Sequence, residues 1–143
     1  MAVILASTKG MPREEWLKLR KQGIGGSDAA AIAGVNPYKA AMAVYLEKIG
    51  EIEDRPAGES AEWGTLLEPI VADQFSKRTG LKIRRQNAVL VHPEHPFIIG
   101  NIDYRVTEKG KRGVLEVKTT SAFKAKEWDG DKVPDLYAIQ LQH

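Results

Sequence analysis

Apolar residues recur at helical spacing through the first half of the chain, up to about residue 80. The clearest pattern covers residues 60–79, where bulky apolar side chains lie one turn apart and Gly80 follows as a stop. Pro69 interrupts this pattern, so a kink or the start of a second helix is expected there. Shorter helices are predicted over residues 11–20, 27–34 and 41–49, each ended by a glycine or an Asn-Pro pair.

The pattern changes to a strand-like one after the long helix. Residues 82–91 predict one strand and residues 92–96 a turn. The polar, glycine-bearing segment 107–113 lies between two apolar runs, which is a hairpin signal. A last helix is predicted over residues 134–142, after an irregular segment with a helical turn at 123–128. This order indicates an α/β (α+β-like) protein with a small mixed central sheet flanked by helices.

Two short blocks within this sheet carry the most specific chemistry. Asp103 lies in the block 100–104, and Glu116 and Lys118 lie two residues apart in the block 115–118. Alternate residues of a strand share a face, so Glu116 and Lys118 are expected to project together while Leu115 and Val117 face a core. The hairpin brings Asp103 and Glu116 onto neighbouring strands. Carboxylates beside a lysine can bind a divalent cation that in turn binds a phosphate group. This pattern predicts a metal-dependent phosphodiesterase. The alternative is the solvated face of an antiparallel sheet.

Two further segments offer candidate groups. Glu68 is a carboxylate among apolar neighbours on the long helix, and the alternative is an ordinary surface glutamate. Residues 25–28 form a glycine turn at a helix start, where exposed N–H groups attract a phosphate and Arg20 would add a bidentate clamp. The alternative for this turn is plain capping of the helix by Ser27. His92 and His95 stand between prolines without helical spacing, which favours a surface turn over a metal site.

The amino-acid composition excludes some classes of protein but does not identify the function. The chain has 143 residues, enough for one domain with a core, and its net charge of +2 permits a nucleic-acid partner without requiring one. The absence of cysteine excludes disulfides and cysteine-ligated zinc or iron–sulfur clusters. No apolar run approaches a membrane span and the start lacks a basic leader, so a cytoplasmic protein is expected. Basic residues cluster in three places: Arg13, Lys18, Arg20 and Lys21; Lys82, Arg84 and Arg85; and Lys109, Lys111 and Arg112.

Six motifs in order resemble the YqaJ-type viral recombinases, which are phage exonucleases of the lambda type within the PD-(D/E)XK nuclease superfamily. The resemblance covers the chain from about residue 16 to its last residue and implies a restriction-endonuclease-like core. It implies a single nuclease domain over residues 1–143, with N-terminal helices over 12–50 and the catalytic core over 60–143. The motifs are Leu19-Arg20, Gly26-Ser27-Asp28, Trp63-Gly64 with Glu68, and residues 100–103, 116–118 and 140–143.

The resemblance also implies roles at the metal. Glu68, Asp103 and Glu116 correspond to the metal-binding acids, with the carbonyl of Val117 as an extra ligand. Lys118 corresponds to the lysine that orients or activates the attacking water and steadies the charged phosphate. The implied metal is Mg²⁺, with Mn²⁺ as the alternative. Ile102 stands where the proline of the superfamily name would be, at a position that varies.

Outside the metal site, the resemblance implies two residues that bind the DNA end and one catalytic glutamine. Arg20 and Ser27 match the positions that hold a terminal 5′ phosphate of DNA. Gln140 or Gln142 matches the glutamine of the helix that follows the lysine strand, and the resemblance does not decide between them.

The implied function is a Mg²⁺-dependent exonuclease that degrades linear double-stranded DNA, 5′→3′, during recombination in the cytoplasm of a bacterial or phage-host cell. The implied partners are DNA ends, a single-strand annealing protein and further copies of the chain in a ring, with no membrane. Family members continue past the glutamine helix, so a core that is incomplete at its C-terminus is expected. The alternatives are an endonuclease of the same superfamily and a non-catalytic DNA-binding or assembly remnant.

Overall fold

The computed structural model describes residues 2–53, 58–130 and 132–143. Helices and strands alternate irregularly along the chain, which confirms the α/β class. In chain order the elements are β1 (Val3–Ser7), α1 (Arg13–Lys21), α2 (Gly26–Ile32), α3 (Ala41–Ile49), α4 (Glu59–Thr79), β2 (Lys82–Arg85), β3 (Ala88–Val91), β4 (Ile99–Gly100), β5 (Tyr104–Glu108), β6 (Lys111–Leu115), a 3₁₀ helix (Ala122–Trp128) and α5 (Asp135–Gln142). In the described ranges, no helix combines the length and the apolar character that crossing a membrane requires.

The chain divides into two compact units, each assembled from discontinuous segments. The first unit comprises Met1–Asp54, Asn87–Asn101 and Glu127–His143, and the second unit comprises Arg55–Gln86 and Ile102–Lys126. The predicted metal ligands therefore belong to the second unit, whereas the predicted phosphate-binding residues and glutamines belong to the first. A single domain over residues 1–143 stays a prediction.

The first unit contains an antiparallel sheet in the order β1-β3-β4. Val89 of the central strand β3 and Ile99 of β4 are buried, as are Ala30 and Ala31 of α2. Strand β1 is not predicted by the sequence pattern, because its apolar run is short and its partner strand lies far along the chain. Pairing with β3, where Val3 lies opposite Val91, gives this run its hydrogen-bond partners.

The predicted strand over residues 82–91 is wrong as one element. The polar pair Gln86-Asn87 ends β2 and precedes β3, and each piece joins a different three-stranded antiparallel sheet. The backbone N–H of Gln86 donates to the carbonyl of Asp103 at 2.9 Å, while the carbonyl of Asn87 accepts from the N–H of Thr8 at 3.0 Å. Backbone groups at this break thus find partners in separate sheets. The described strands form these two sheets instead of one mixed sheet.

The second unit contains a sheet in the order β2-β5-β6 and the long helix α4. Strands β5 and β6 form the predicted hairpin, with Tyr104 opposite Leu115. The turn residues Lys109 and Gly110 both have positive φ, 47° and 80°. Positive φ at both central residues is the requirement of the type I′ turn, whose twist matches that of the two strands.

Helix α4 passes through Pro69 without splitting into two helices. Its 21 residues end at Gly80, which adopts the left-handed conformation (φ 70°) and donates its N–H to the carbonyl of Ser76 at 2.9 Å. The proline removes one backbone hydrogen bond, which a helix of this length tolerates when its other turns are intact. The glycine stop that the sequence predicts is confirmed.

Gly23 is a position where the packing of the first unit forbids a side chain. An added Cβ would lie 2.7 Å from the carbonyl oxygen of Phe97 and 2.9 Å from Cγ2 of Ile99. We expect Gly23→Ala to lower the free energy of unfolding by about 1–3 kcal/mol, as overpacking does in tight cores. Urea unfolding followed by circular dichroism measures this change. The control is Gly100→Ala, where a Cβ meets nothing within 4 Å, and equal stability of the two variants would contradict the prediction.

Candidate active site

The hairpin of the second unit brings two acidic residues to one end of its sheet. Asp103 directly precedes β5 and Glu116 directly follows β6. Because Tyr104 and Leu115 are paired across the antiparallel strands, their outer neighbours Asp103 and Glu116 flank the same end of the hairpin. The structure thus places these two residues as the hairpin pattern predicts.

Glu116 and Lys118 lie outside the strand that was expected to contain them. Strand β6 ends at Leu115, because the backbone N–H of Val117 donates to the carboxylate of Asp103 (Oδ2, 2.8 Å) and not to a neighbouring strand. Val117 is half-buried. Lys118 Nζ nevertheless lies 2.8 Å from Glu116 Oε1, so the acid and the lysine do meet.

Glu68 of α4 is close enough to Asp103 and Glu116 for their charges to act on its carboxylate. Its side chain is 18% exposed, and Arg85 Nη2 lies 3.0 Å from its Oε1. Burial raises the pKa of Glu68, and the charge of Asp103 and, more weakly, that of Glu116 raise it further. The charge of Arg85 and a hydrogen bond with Tyr104 oppose this without cancelling it. The pKa of Glu68 is therefore raised first by burial and then by two neighbouring acids, whose repulsion a bound cation would relieve.

The chemistry of these side chains fits a divalent cation. In the part of the chain that the structure describes, no three acidic or imidazole side chains are already grouped closely enough to hold a metal ion. The carboxylates contact Arg85, the N–H of Val117 and Lys118 instead. Oε1 of Glu68 is buried and lies beside Arg85, but it accepts no hydrogen bond of good geometry from any described residue. A carboxylate oxygen that lacks a well-aligned donor and lies near two further acids offers the hard oxygen ligand that Mg²⁺ prefers. The carbonyl of Val117 as an additional ligand stays a prediction.

In the first unit, Arg20 and Ser27 are brought into direct contact. Arg20 Nη2 donates to Ser27 Oγ at 2.9 Å, and the guanidinium lies over the ring of Trp16, 4.8 Å from its centroid. Lys48 Nζ donates to the backbone carbonyl of Arg20 at 2.7 Å. These contacts orient the guanidinium beside the serine hydroxyl, and its other N–H groups remain as donors for an anion.

Asp28 organises the start of α2, a role that its local sequence pattern does not predict. It is 2% exposed and lies 2.8 Å from Lys48 Nζ and 3.4 Å from Lys39 Nζ, and its Oδ2 accepts the N–H of Gly25 at 3.1 Å. Burial alone would raise the pKa of Asp28, but the hydrogen bonds with Lys48 and Gly25 and the two lysine charges hold it below its usual value. The local signal was an acid three residues after Gly25, the N-cap of a short helix.

Gln140 and Gln142 occupy different environments on α5. Gln140 is half-buried, and a Cβ added to Gly26 would lie 3.0 Å from its Cγ, so α2 and α5 approach closely at this point. Gln142 is exposed. A catalytic role for either glutamine stays a prediction. The neighbouring His143, which the sequence analysis did not single out, has its Nε2 3.0 Å from the carbonyl oxygens of both Ile24 and Ile99.

His92 and His95 form a turn, as the sequence analysis favoured. The Nδ1 of His92 accepts the backbone N–H groups of Glu94 and His95 at 3.2 and 3.1 Å. The two imidazole rings stack with their centroids 4.9 Å apart. The Nδ1 of His92 is therefore used to stabilise the backbone of the turn.

Residues 15–143 match the YqaJ-like viral recombinase domain. The chain belongs to the YqaJ-like viral recombinase family. It is 44% identical over 143 residues to the uncharacterized protein YqaJ of Bacillus subtilis, covering 99% of this chain and 44% of that protein. It is 33% identical over 155 residues to protein D345L of African swine fever virus, covering 90% of this chain and 44% of that protein. This family member thus spans less than half the length of either relative.

Solved structures similar to this YqaJ-like domain establish its fold. The structure of LHK-Exo in complex with dAMP gives a TM-score of 0.71 at 19% identity, with 90% of this chain and 65% of that chain covered. The alkaline exonuclease LHK-Exo from Laribacter hongkongensis gives 0.68 at 20% identity, with 89% and 64% covered. This likeness confirms the predicted fold class, because the domain shares the fold of LHK-Exo.

Proposed function

We propose that this YqaJ-like domain carries the nuclease centre of a divalent-metal-dependent exonuclease that hydrolyses phosphodiester bonds of linear double-stranded DNA. The observation that supports this proposal is the grouping in the second unit. Asp103 and Glu116 flank one end of the β5–β6 hairpin, Lys118 pairs with Glu116, and burial together with the charges of both acids raises the pKa of Glu68. Membership of a viral recombinase family and the exonuclease fold agree with it.

The proposed roles follow from the chemistry of each group. Glu68, Asp103 and Glu116 would hold the cation, which supplies Lewis-acid activation of water and neutralises charge on the phosphate. Mg²⁺ is proposed because all the donors are oxygens and a few carboxylates leave room for water and substrate, with Mn²⁺ as the alternative. Lys118, held at the site by Glu116, would contact the phosphate or orient the attacking water. Its ammonium would also counter the repulsion among the acids.

Arg20 and Ser27 supply the proposed recognition of the 5′ end. A guanidinium that is already stacked on Trp16 and bonded to Ser27 presents its remaining N–H groups as a fork, which suits a terminal phosphate. Recognition of a 5′ phosphate favours digestion in the 5′→3′ direction. A single-strand annealing partner, a homo-oligomeric ring and a cytoplasmic location stay predictions from the family resemblance.

We expect Arg20→Ala to slow digestion of 5′-phosphorylated duplexes selectively. Loss of charge-assisted hydrogen bonds costs about 1.5–3 kcal/mol, or roughly tenfold to a hundredfold in rate. Digestion of the same duplex with 5′-hydroxyl ends is expected to change little. Initial rates on both substrates measure the effect, with Arg13→Ala at the exposed start of α1 as the control. An equal loss on both substrates would contradict a role at the 5′ phosphate.

The test of the proposed function is nucleotide release from linear duplex DNA with 5′ phosphates, with closed circular DNA alongside. Each substrate is incubated with Mg²⁺ and, separately, with a chelator. Degradation of the linear DNA alone, and only with Mg²⁺, is the expected result. Cleavage of the circle would favour the endonuclease alternative. If a folded chain released nothing from either substrate, the non-catalytic DNA-binding or assembly module would be favoured instead.

A further inference from the structure

The sheet of the second unit has two chemically different faces. Between β2 and β5, Lys82 is paired with Thr107 and Arg84 with Arg105. Between β5 and β6, Thr107 is paired with Arg112 and Arg105 with Val114. Paired residues share a face of the sheet, and so do alternate residues along each strand. One face therefore carries four cations and no acid, and we call it the basic sheet face. Its members are Lys82, Arg84, Arg105, Thr107, Arg112 and Val114.

The opposite face of the same sheet is apolar or has its charges matched. Tyr104 is buried there, and its strand neighbour Val106 and paired residue Leu115 are half-buried. One of the two cations on this face, Arg85, lies beside the Glu68 carboxylate. At the hairpin end, Lys111 is opposite Glu108. The excess of positive charge is therefore confined to the basic sheet face.

The four cations of the basic sheet face are not neutralised within the described residues. None of them has a carboxylate at ion-pair distance in residues 2–53, 58–130 or 132–143. Lys82, Arg84 and Arg112 are exposed and Arg105 is half-buried. Arg84 lies directly opposite Arg105, and like charges in that position destabilise a sheet. An anion across the two strands would relieve this repulsion.

We propose that the basic sheet face docks the phosphate backbone of duplex DNA, away from the bond that is cleaved. The inference rests on the proposed function for the identity of this DNA as substrate. Strands β5 and β6 lead directly into the candidate site, since Arg105 is two residues from Asp103 and Arg112 is four residues from Glu116. A duplex engaged there thus has further phosphates near the cations. Cations without acids or amides contact backbone phosphates, so binding is independent of base sequence.

The charge pattern favours a nucleic acid over other anionic partners. The cations are spread along and across three strands at the sheet spacings of about 3.3 Å per residue and 4.8 Å between strands. Duplex DNA presents a phosphate about every 1.7 Å of its axis, so several cations find partners at once. A membrane surface would favour apolar side chains for insertion, and Val114 alone supplies one on this face.

The test is the salt dependence of binding to a fluorescent duplex, in chelator so that no hydrolysis occurs. The variant combines Lys82→Gln, Arg84→Gln, Arg105→Gln and Arg112→Gln. Each lost phosphate contact lowers the slope of log affinity against log salt by about 0.9, so loss of all four lowers it by roughly 3.6. We expect affinity at low salt to fall at least about tenfold, and the melting temperature to stay the same or rise because the Arg84–Arg105 repulsion is removed.

Two control variants distinguish an effect of the basic sheet face from an effect of net charge or of misfolding. The first removes four exposed cations of the same unit that lie off this face, through Lys77→Gln, Arg78→Gln, Lys109→Gln and Lys111→Gln. It has the same net charge as the test variant and is expected to keep most of the salt slope. The second replaces the three arginines of the face by lysine, which keeps the charge, and it is expected to bind like the wild type.

Several outcomes would overturn the proposal. These are equal weakening in the test variant and the first control, wild-type affinity in the test variant, and no salt-dependent DNA binding by the wild-type chain. Loss of binding to polyglutamate or to anionic vesicles with unchanged DNA binding would overturn it in favour of another partner. If binding behaves as expected but Mg²⁺ brings no nucleotide release, the proposed function fails while the DNA-docking surface stands.

Discussion

Glu116→Gln is expected to reduce strongly the proposed metal-dependent nuclease activity while leaving the fold intact. Glutamine keeps the size of the side chain but removes one of the charges that would hold the cation. Metal ions contribute several kcal/mol to stabilising the transition state of such reactions. The expected loss of rate is therefore at least about a hundredfold, since each 1.36 kcal/mol is a factor of ten. Initial rates of nucleotide release from linear duplex DNA measure it.

Glu108→Gln is the matched control for this prediction, because it makes the same chemical change at the other end of the hairpin. Glu108 is exposed and opposite Lys111, and its substitution is expected to leave the rate unchanged. Calorimetric titration with Mg²⁺ gives a second readout, in which Glu116→Gln weakens binding and Glu108→Gln does not. Wild-type rates in Glu116→Gln would show that this carboxylate is not part of a nuclease centre.

Asp28→Ala is expected to destabilise the first unit more than any surface change. The substitution leaves Lys48 and Lys39 without the buried carboxylate that both contact. Breaking a buried ion pair by removing one partner costs about 3–5 kcal/mol. Urea unfolding measures the difference. Asp73→Ala is the control, because its exposed pair with Lys77 on α4 is worth about 1 kcal/mol or less. Similar losses in the two variants would contradict the buried role of Asp28.

The lowered pKa of Asp28 also predicts how stability depends on pH. The carboxylate has a lower pKa folded than unfolded, so its contribution is complete above the unfolded value of about 3.9 and is lost as the pH falls through the folded value. Wild-type protein is therefore expected to lose stability in acid below about pH 4. Asp28→Asn should show a smaller loss over the same range. Unfolding free energies measured across this range for both proteins test the difference, and parallel pH profiles would contradict it.

The sequence predicted those helices and turns whose ends are set by the residues at that position. Gly50 and Gly80 end α3 and α4 because both adopt the left-handed conformation that glycine permits. The β5–β6 hairpin was predictable from the glycine-bearing turn between two apolar runs. The family was recognisable because short motifs occur in a fixed order along nearly the whole chain.

Features that depend on distant partners were missed. Strand β1 exists through its pairing with β3, more than eighty residues away, and the division of residues 82–91 depends on two separate sheets. The role of Asp28 depends on lysines 11 and 20 positions along the chain, at a spacing that no local pattern indicates. The end of β6 before Glu116 is likewise set by the carboxylate of Asp103. Tertiary contacts decided each of these outcomes.

Lys48 has an energetic consequence for any ligand that Arg20 and Ser27 bind. It joins the carbonyl of Arg20 to the carboxylate of Asp28, and thereby ties the end of α1 to the start of α2. The backbone of Arg20 is thus already ordered in the folded protein, so a ligand does not have to order it on binding. Ordering a mobile side chain at a binding site costs about 0.5–1.5 kcal/mol. A preorganised guanidinium would therefore leave more of its hydrogen-bond energy available as affinity for the proposed phosphate ligand.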